Sequence, residues 1–468
     1  MLRKTRPVFI FTPSLFLASC QAFTASTPFK NTPISVATRL NPSQQVMPTH
    51  TLASAPSPTS MVVHASSTAS TTFLPTSTSS PTTTSILLDT QLRIFNSLWS
   101  TVHDTYIYPD FNSLEWEAIH GEYQQILKPG LSNEDSYYAI GKLIFQLGDE
   151  HSYFLDPQNE RDQLSDDVGR QDYVGIGLIA RAVPERQHSV ILTVFSGSPA
   201  EAAGLKPRHC IISVNGTPIL DENSYLRDIV RGPEGISLDL LIQTPGDDPR
   251  ELQLTRQQIS GDFTLFHDVL ISPGGQRIGY IFLFTFMDST VDEQVAQTLD
   301  EMPATAPIDG LILDNSVTEG GSSQVLEPVL GYLTSGNVGY YLMHSEAFPL
   351  RIKLNDIDSC SQVPLVLLVG PGIVSFGEIF SGILQDIVRA YLIGTATQGN
   401  VEVLWDYDFI DDSQLWLANE TFRPLNHPDQ DWEKTGIVPN LIMPGDFDQY
   451  SPDHDPAIMA ALQYLSDQ

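Results

Sequence analysis

The spacing of apolar residues changes character twice along the chain. Between Leu88 and about Glu160, the stretches QLRIFNSLWSTVHDTYI and SYYAIGKLIFQL repeat apolar positions at i, i+3 and i+4. That period places them on one face of a helix and predicts a small helical unit over residues 88–165. From about Asp172 to Ile259 the pattern becomes short alternating runs broken by turn residues: YVGIGLIA, SVILTVFSGSPAEAAGLKP and CIISVNGTPI. Short strands around a helix are expected there, as a second unit over 170–259. Over 260–468, strand-like runs (RIGYIFLF, IDGLILDN, PLVLLVG, AYLIGTA) alternate with helix-like ones (VDEQVAQTLDEM, GEIFSGILQDIV). This alternation is that of an α/β architecture. No internal repeat is visible.

Composition separates the first part of the chain from the rest. The first 88 residues hold no acidic residue and five bases, so all 56 acids and the other bases of the 468-residue chain lie beyond them. The body is strongly acidic, which repels nucleic acid and anionic lipid and argues against a DNA-binding role. Residues 21–87 are dominated by Ser, Thr, Pro and Ala and read as a flexible tether with too little clustered apolar content for a core. Ahead of it, MLRKTRPVFIFTPSLFLASC has a basic start, a short apolar stretch broken by Pro13, and small residues, the grammar of a signal peptide over residues 1–20. Leu17-Ala18-Ser19-Cys20 resembles a bacterial lipobox, which makes Cys20 a candidate for lipidation and the protein an expected extracytoplasmic, membrane-anchored bacterial lipoprotein. An ordinary signal peptide with an incidental cysteine is the alternative. Cys210 and Cys360 are the other cysteines, too few and too far apart for a disulfide framework or a paired-cysteine metal site.

One short stretch poses a chemical question. In GIVSFGEIFSGILQD, Ser375 and Glu378 have the S-x-x-E spacing of a capping box ahead of an apolar helix. In that reading the serine oxygen and the glutamate satisfy backbone N–H groups. The alternative is that Ser375 is a nucleophile, which needs a base within hydrogen-bond reach.

Wider motifs bear on the choice. Val174-Gly175-Ile176-Gly177-Leu178, SGSPAEAAGLKP and IISVNGTPI resemble a PDZ domain of the kind found in bacterial proteases. The resemblance implies that the loop Val174–Leu178 offers N–H groups to a peptide carboxylate while a strand edge pairs with the peptide. Arg208-His209 departs from the Gly-Asp usual before such an IISVNG and puts the tight turn there in question. LGDEHSYF, IDGLILDNSVTEGG, LLVGPGIVSFGEIFSGILQD and EKTGIVPN, in this order around a PDZ-like insert, resemble the C-terminal processing (tail-specific) serine protease family and its tricorn-like branch over about residues 88–445. The implied fold is an α/β, ClpP/crotonase-like catalytic core over 260–468 with the helical unit at its N-terminus and the PDZ-like unit inserted.

By this resemblance Ser375 falls on the nucleophile. The lysine that processing proteases carry in a TFGKG-like motif is replaced by Asn400, whose amide cannot accept the proton. The tricorn-like branch implies His151 as base and Glu433 as its orienter, with Ser152 a candidate for a further hydrogen bond and His427 a weaker rival base. The backbone N–H of Phe376 and one from the TEGG loop, at Gly320, are the candidate oxyanion donors. The loop itself departs from the family's LDLRGNPGG-like pattern at Asn315, Ser316 and Val317. Polypeptide substrates or C-terminal tails are implied as partners, and no metal or organic cofactor. The rival expectation is a pseudoprotease that kept the PDZ-like groove as a peptide-binding scaffold and lost the chemistry.

Overall fold

Three apolar clusters organise the described residues, broadly one for each of the three stretches of distinct hydrophobic pattern. The computed structural model describes residues 88–149, 151–160, 172–260, 263–344 and 346–468. The expected signal peptide, the lipobox cysteine Cys20 and the tether all lie outside the described residues. Among the described residues, no helix is long and apolar enough to cross a membrane.

The helical unit consists of α1 (Leu88–Thr105), α2 (Trp116–Leu127) and α3 (Asn133–Phe145). In α1 the buried positions Gln91, Ile94, Phe95, Leu98 and Val102 follow the helical period read from the sequence. Ser132 caps α3 by accepting the Asp135 N–H at 3.1 Å. These helices do not close a core by themselves. Their apolar faces pack on Phe409, Leu415, Leu417 and Ala418, far along the chain. A short strand, β1 (Tyr153–Leu155), follows the helices.

The inserted unit begins with β2 (Asp172–Gly175), β3 (Leu178–Val183) and β4 (His188–Val194), then the four-residue helix α4 (Pro199–Ala202). It continues with β5 (Cys210–Val214), β6 (Thr217–Pro218), β7 (Ser237–Gln243), β8 (Arg250–Thr255) and β9 (Gln257–Ser260). The sheet runs β3-β4-β5-β7-β8, with β6 on β5, so among the described residues β3 has a free edge. Entry and exit strands β2 and β9 pair antiparallel and close the insert at its neck. Strand β4 explains its unbroken apolar run: Ile191 faces the insert's own core, whereas Val190 and Leu192 join the large core of the catalytic part. The helix expected inside this unit is only the single turn α4.

The last part contains two sheets. One has the order β10 (His267–Ile271), β11 (Arg277–Phe282), β12 (Gly310–Asp314), β15 (Leu365–Val369), β16 (Tyr391–Gly394), β19 (Leu441–Ile442), parallel from β11 onwards. Every residue of β12 and β15 is buried, as strands covered on both faces require. The other sheet is antiparallel and joins β1 to β18 (Gln414–Pro424), β13 (Gly336–Met343) and β14 (Glu346–Ile352), with β17 (Val403–Asp408) also on β18. Sequence alternation alone suggested one α/β layer; the antiparallel sheet is an addition, and it is the surface on which α1–α3 rest. Helices α5 (Val291–Glu301), α6 (Ser323–Leu333), α7 (Phe376–Asp386), α8 (Trp432–Thr435) and α9 (Pro456–Ser466) complete this part.

Candidate active site

Strand β15 delivers the chain to a sharp turn, and Ser375 ends that turn at the N-terminus of α7. Its backbone has φ 52° and ψ −126°, a conformation L-residues rarely adopt. Its side chain makes no capping hydrogen bond. The capping-box reading is therefore not what the side chains do. Glu378 is fully buried and turns away from the helix end, its carboxylate accepting the Thr397 hydroxyl at 2.6 Å and the Gly399 N–H at 3.2 Å. Burial pushes Glu378 up to about 7, with the Glu433 charge adding to it and the Thr397 bond opposing. A strained residue at a strand-to-helix turn is the form taken by nucleophile elbows, where the strain exposes Oγ.

Residues 397–402 tie Ser375 to the other two members of the expected triad. The Ser375 N–H donates to the Asn400 carbonyl at 2.6 Å. The next N–H, of Val401, donates to Glu433 Oε2 at 2.7 Å. Glu433 Oε1 in turn lies 2.8 Å from His151 Nε2, and both side chains are mostly buried. Gly399 permits this approach, since a Cβ there would come within 2.2 Å of the Glu433 carbonyl oxygen. Ser375, His151 and Glu433 thus border one segment, and Asn400 occupies the lysine's place beside the serine through its backbone. Among the described residues no hydrogen bond joins Ser375 Oγ to His151; with Nε2 held by Glu433, Nδ1 is the imidazole nitrogen left for the serine.

His151 is presented by a turn built on Asp149. Asp149 Oδ1 accepts the N–H groups of His151 and Ser152 at 3.1 and 2.9 Å. The Ser152 hydroxyl donates to Asp149 Oδ2 at 2.6 Å and accepts the Ala418 N–H of β18 at 3.0 Å. Ser152 therefore locks the turn to the antiparallel sheet and is not spent on the imidazole. His427, the rival base, bonds Asp386 at 2.7 Å at the far end of α7 and is well exposed. Eleven residues of helix put it about 15 Å from Ser375.

Two residues of this site carry no sequence signal. Glu402, 3 % exposed, brings a carboxylate oxygen within 4.8 Å of the facing atoms of His151 and Glu433. Tyr108, from the loop after α1, donates its hydroxyl to Glu402 Oε1. Burial and the Glu433 charge push Glu402 up to about 8. For His151, burial acts downward, but the Glu433 hydrogen bond and the charges of Glu433, Glu402 and Asp149 outweigh it and raise the imidazole to about 9. The 2.8 Å His151–Glu433 contact is that of a hydrogen bond and fills the space a cation would need. At a second His/Cys/Asp grouping, His188, Cys210 and Asp448, the Arg186 guanidinium already occupies the carboxylate.

The two candidate oxyanion donors lie where Gly320 meets Ser375. Gly320 has φ +84°, and a Cβ on it would lie 2.8 Å from Ser375 Cβ. Neither the Gly320 N–H nor the Phe376 N–H is taken by an acceptor among the described residues. Asn315, one of the residues that depart from the family pattern, is fully buried and donates to the Gly377 carbonyl at 3.0 Å and to Ser381 Oγ at 2.7 Å. Thr318 gives its carbonyl to the Val374 N–H at 3.1 Å and its hydroxyl to Asn315. The altered loop is thus fastened to the start of α7 by side chains of its own.

Comparison with known proteins agrees with this architecture. Residues 277–443 match the peptidase family S41 model, 190–244 a PDZ domain and 91–143 the tricorn protease C1 domain. Residues 277–443 thus carry the pattern of peptidase family S41. The chain is 28% identical over 350 residues to a carboxyl-terminal-processing protease of Synechocystis sp., covering 74% of this chain and 79% of that one. A carboxy-terminal processing protease of Bacillus subtilis is 27% identical over 308 residues, covering 65% and 62%. Among solved structures, a photosystem II D1 C-terminal processing protease superposes with TM-score 0.55 at 24% identity, over 80% of this chain and 97% of that one, a likeness of fold. These matches make the chain a serine peptidase with a PDZ domain and a mixed α/β catalytic part.

The PDZ loop of this peptidase leads from β2 into β3. Val174 and Gly175 lie in β2, Ile176 is buried, and Gly177 turns the chain at φ +79° into the free-edged β3, which starts at Leu178. The Arg231 guanidinium sits 4.6 Å over the ring of Tyr173, the residue before this loop. The turn at Arg208-His209 does form, with Arg208 itself in the left-handed region at φ +75°.

Proposed function

We propose that this S41 peptidase cleaves polypeptides near their C-termini through an acyl-enzyme on Ser375, with His151 as general base and Glu433 as its orienter. The observation that carries the reading is the strained Ser375 turn, flanked by two uncommitted N–H groups and joined through residues 400–401 to the His151–Glu433 pair. Ser375 Oγ attacks the scissile carbonyl and its proton passes to His151 Nδ1. The N–H groups of Phe376 and Gly320 receive the developing oxyanion. His151 returns the proton to the leaving amine, and water activated by the same imidazole releases the acid. The free β3 edge would pair with the polypeptide, and N–H groups of the Val174–Leu178 loop would receive a terminal carboxylate. A pair of unfolded peptides, identical except for a free or amidated C-terminus, tests the recognition step: the free acid should have the lower KM, and equal KM values would refute it.

The acid–base state of the site gives a second expectation. An imidazole raised to about 9 is protonated at neutral pH and must lose that proton before it can serve as base. kcat/KM should therefore climb with pH through the 8–9 region. Replacing Glu402 by Gln removes a negative charge facing the imidazolium, lowers its affinity for the proton and should move the rising limb to lower pH. A pH–rate profile of the two proteins checks this; a limb that stays in place or moves upward contradicts it.

Lipidation at Cys20, with residues 21–87 as the tether to an extracytoplasmic membrane face, completes the proposal and is supported by the sequence pattern Leu17–Cys20. Incorporation of labelled palmitate that persists after Cys20→Ser would refute it.

A further inference from the structure

Arg208 is a departure from the usual PDZ pattern that the proposed chemistry does not use. It holds a left-handed backbone where glycine would be unstrained, and its side chain is 4 % exposed. From the turn before β5 it leaves the PDZ domain and enters the catalytic part. There Nη2 donates to Asp314 Oδ2 at 3.0 Å and Nη1 to Asp455 Oδ2 at 2.7 Å, with the guanidinium 4.4 Å over the Phe447 ring. Asp314 is the last residue of β12. Its other oxygen, Oδ1, accepts the Ser316 hydroxyl at 2.6 Å and the Ser316 N–H at 3.2 Å, which begins the loop that ends at Gly320. One carboxylate therefore joins the PDZ domain to the oxyanion loop.

We propose that Arg208 is a positioning residue for the oxyanion loop: by clamping Asp314 from the PDZ side, it fixes the departure of residues 315–321 and hence the Gly320 N–H. The PDZ domain is then a working part of the active site as well as a place for substrate to dock. A second arginine acts in the same sense, since Arg181 on β3 donates to the Gly372 carbonyl at 2.6 Å, three residues before Ser375. The inference rests on the reading of Ser375 and the 315–321 loop as catalytic. Asp455 supplies the control, because it shares the same guanidinium but caps α9 and has no bond to the loop.

The test uses the full chain and three variants: Arg208→Met, Arg208→Lys and Asp455→Asn. Amide exchange of residues 315–321, kcat and KM for an unfolded peptide, the rate of labelling by a small fluorophosphonate, and Tm are measured on each. Arg208→Met should accelerate exchange in the loop and lower both kcat and labelling rate by about 100-fold, the scale of a displaced catalytic group, with KM little changed. Arg208→Lys keeps the charge but not the fork and should recover part of the rate. Asp455→Asn should lower Tm while loop exchange and kcat stay at wild-type values. Wild-type loop exchange in folded Arg208 variants, or losses that simply track Tm in all three, would overturn the inference. If wild-type protein fails to label at all, the nucleophile reading falls, and loop exchange still decides whether Arg208 holds the loop.

Discussion

Ser375→Ala is expected to lower turnover of an unfolded polypeptide by about four to six powers of ten while leaving Tm essentially unchanged. The two halves of this expectation come from one observation. Ser375 Oγ caps nothing, so its removal takes no hydrogen bond from the start of α7. If the hydroxyl were an N-cap, the same substitution would cost about 1 kcal/mol of stability and spare activity. The backbone at this position costs on the order of 1–3 kcal/mol by itself and persists in the variant, because the N–H bond to Asn400 and the packing of Gly320 hold the turn. Turnover assays with thermal denaturation of the same preparations separate the two roles. Retained activity with a lowered Tm would return Ser375 to the capping reading.

His151→Ala should produce a loss of the same order. The reason is that Asn400 stands in the lysine's place and presents an amide, which cannot accept the proton. Because serine and base act as one unit, Ser375→Ala combined with His151→Ala should be no slower than either single variant. Activity that survives in His151→Ala at a tenth of wild type or more would require a different proton acceptor. Glu402, with its carboxylate raised to about 8, would then be the group to examine.

The positions of the fold and of the candidate triad were legible for different reasons. Helical periodicity located α1 and α3, and the unbroken apolar runs located β12 and β15, because burial fixes those patterns locally. The family resemblance marked Ser375, His151 and Glu433, which the structure gathers around residues 397–402. What the sequence could not express is set by contacts between distant segments. S-x-x-E at 375–378 fits a capping box and a nucleophile turn equally well; the positive φ of Ser375 and the approach of Thr397 to Glu378 decide between them. Tyr108 and Glu402 are almost three hundred residues apart and neither lies in a motif, so their hydrogen bond beside His151 leaves no local trace. Ser152 is adjacent to the histidine in sequence, yet its hydroxyl faces Asp149 and β18. Arg208 looked like a defect in a turn and is instead a buried link between two domains. The antiparallel sheet under the helical unit was missed because β1, β13, β14, β17 and β18 are scattered from residue 153 to residue 424.

The central claim is that Ser375 is a nucleophile activated by His151. Reaction of the purified chain with a fluorophosphonate, followed by mass spectrometry of the labelled peptide, addresses it directly. A single adduct is expected on Ser375, and it should disappear in His151→Ala under the same conditions. An adduct that forms equally fast in His151→Ala, or well-folded wild-type protein that forms none on Ser375, would contradict it.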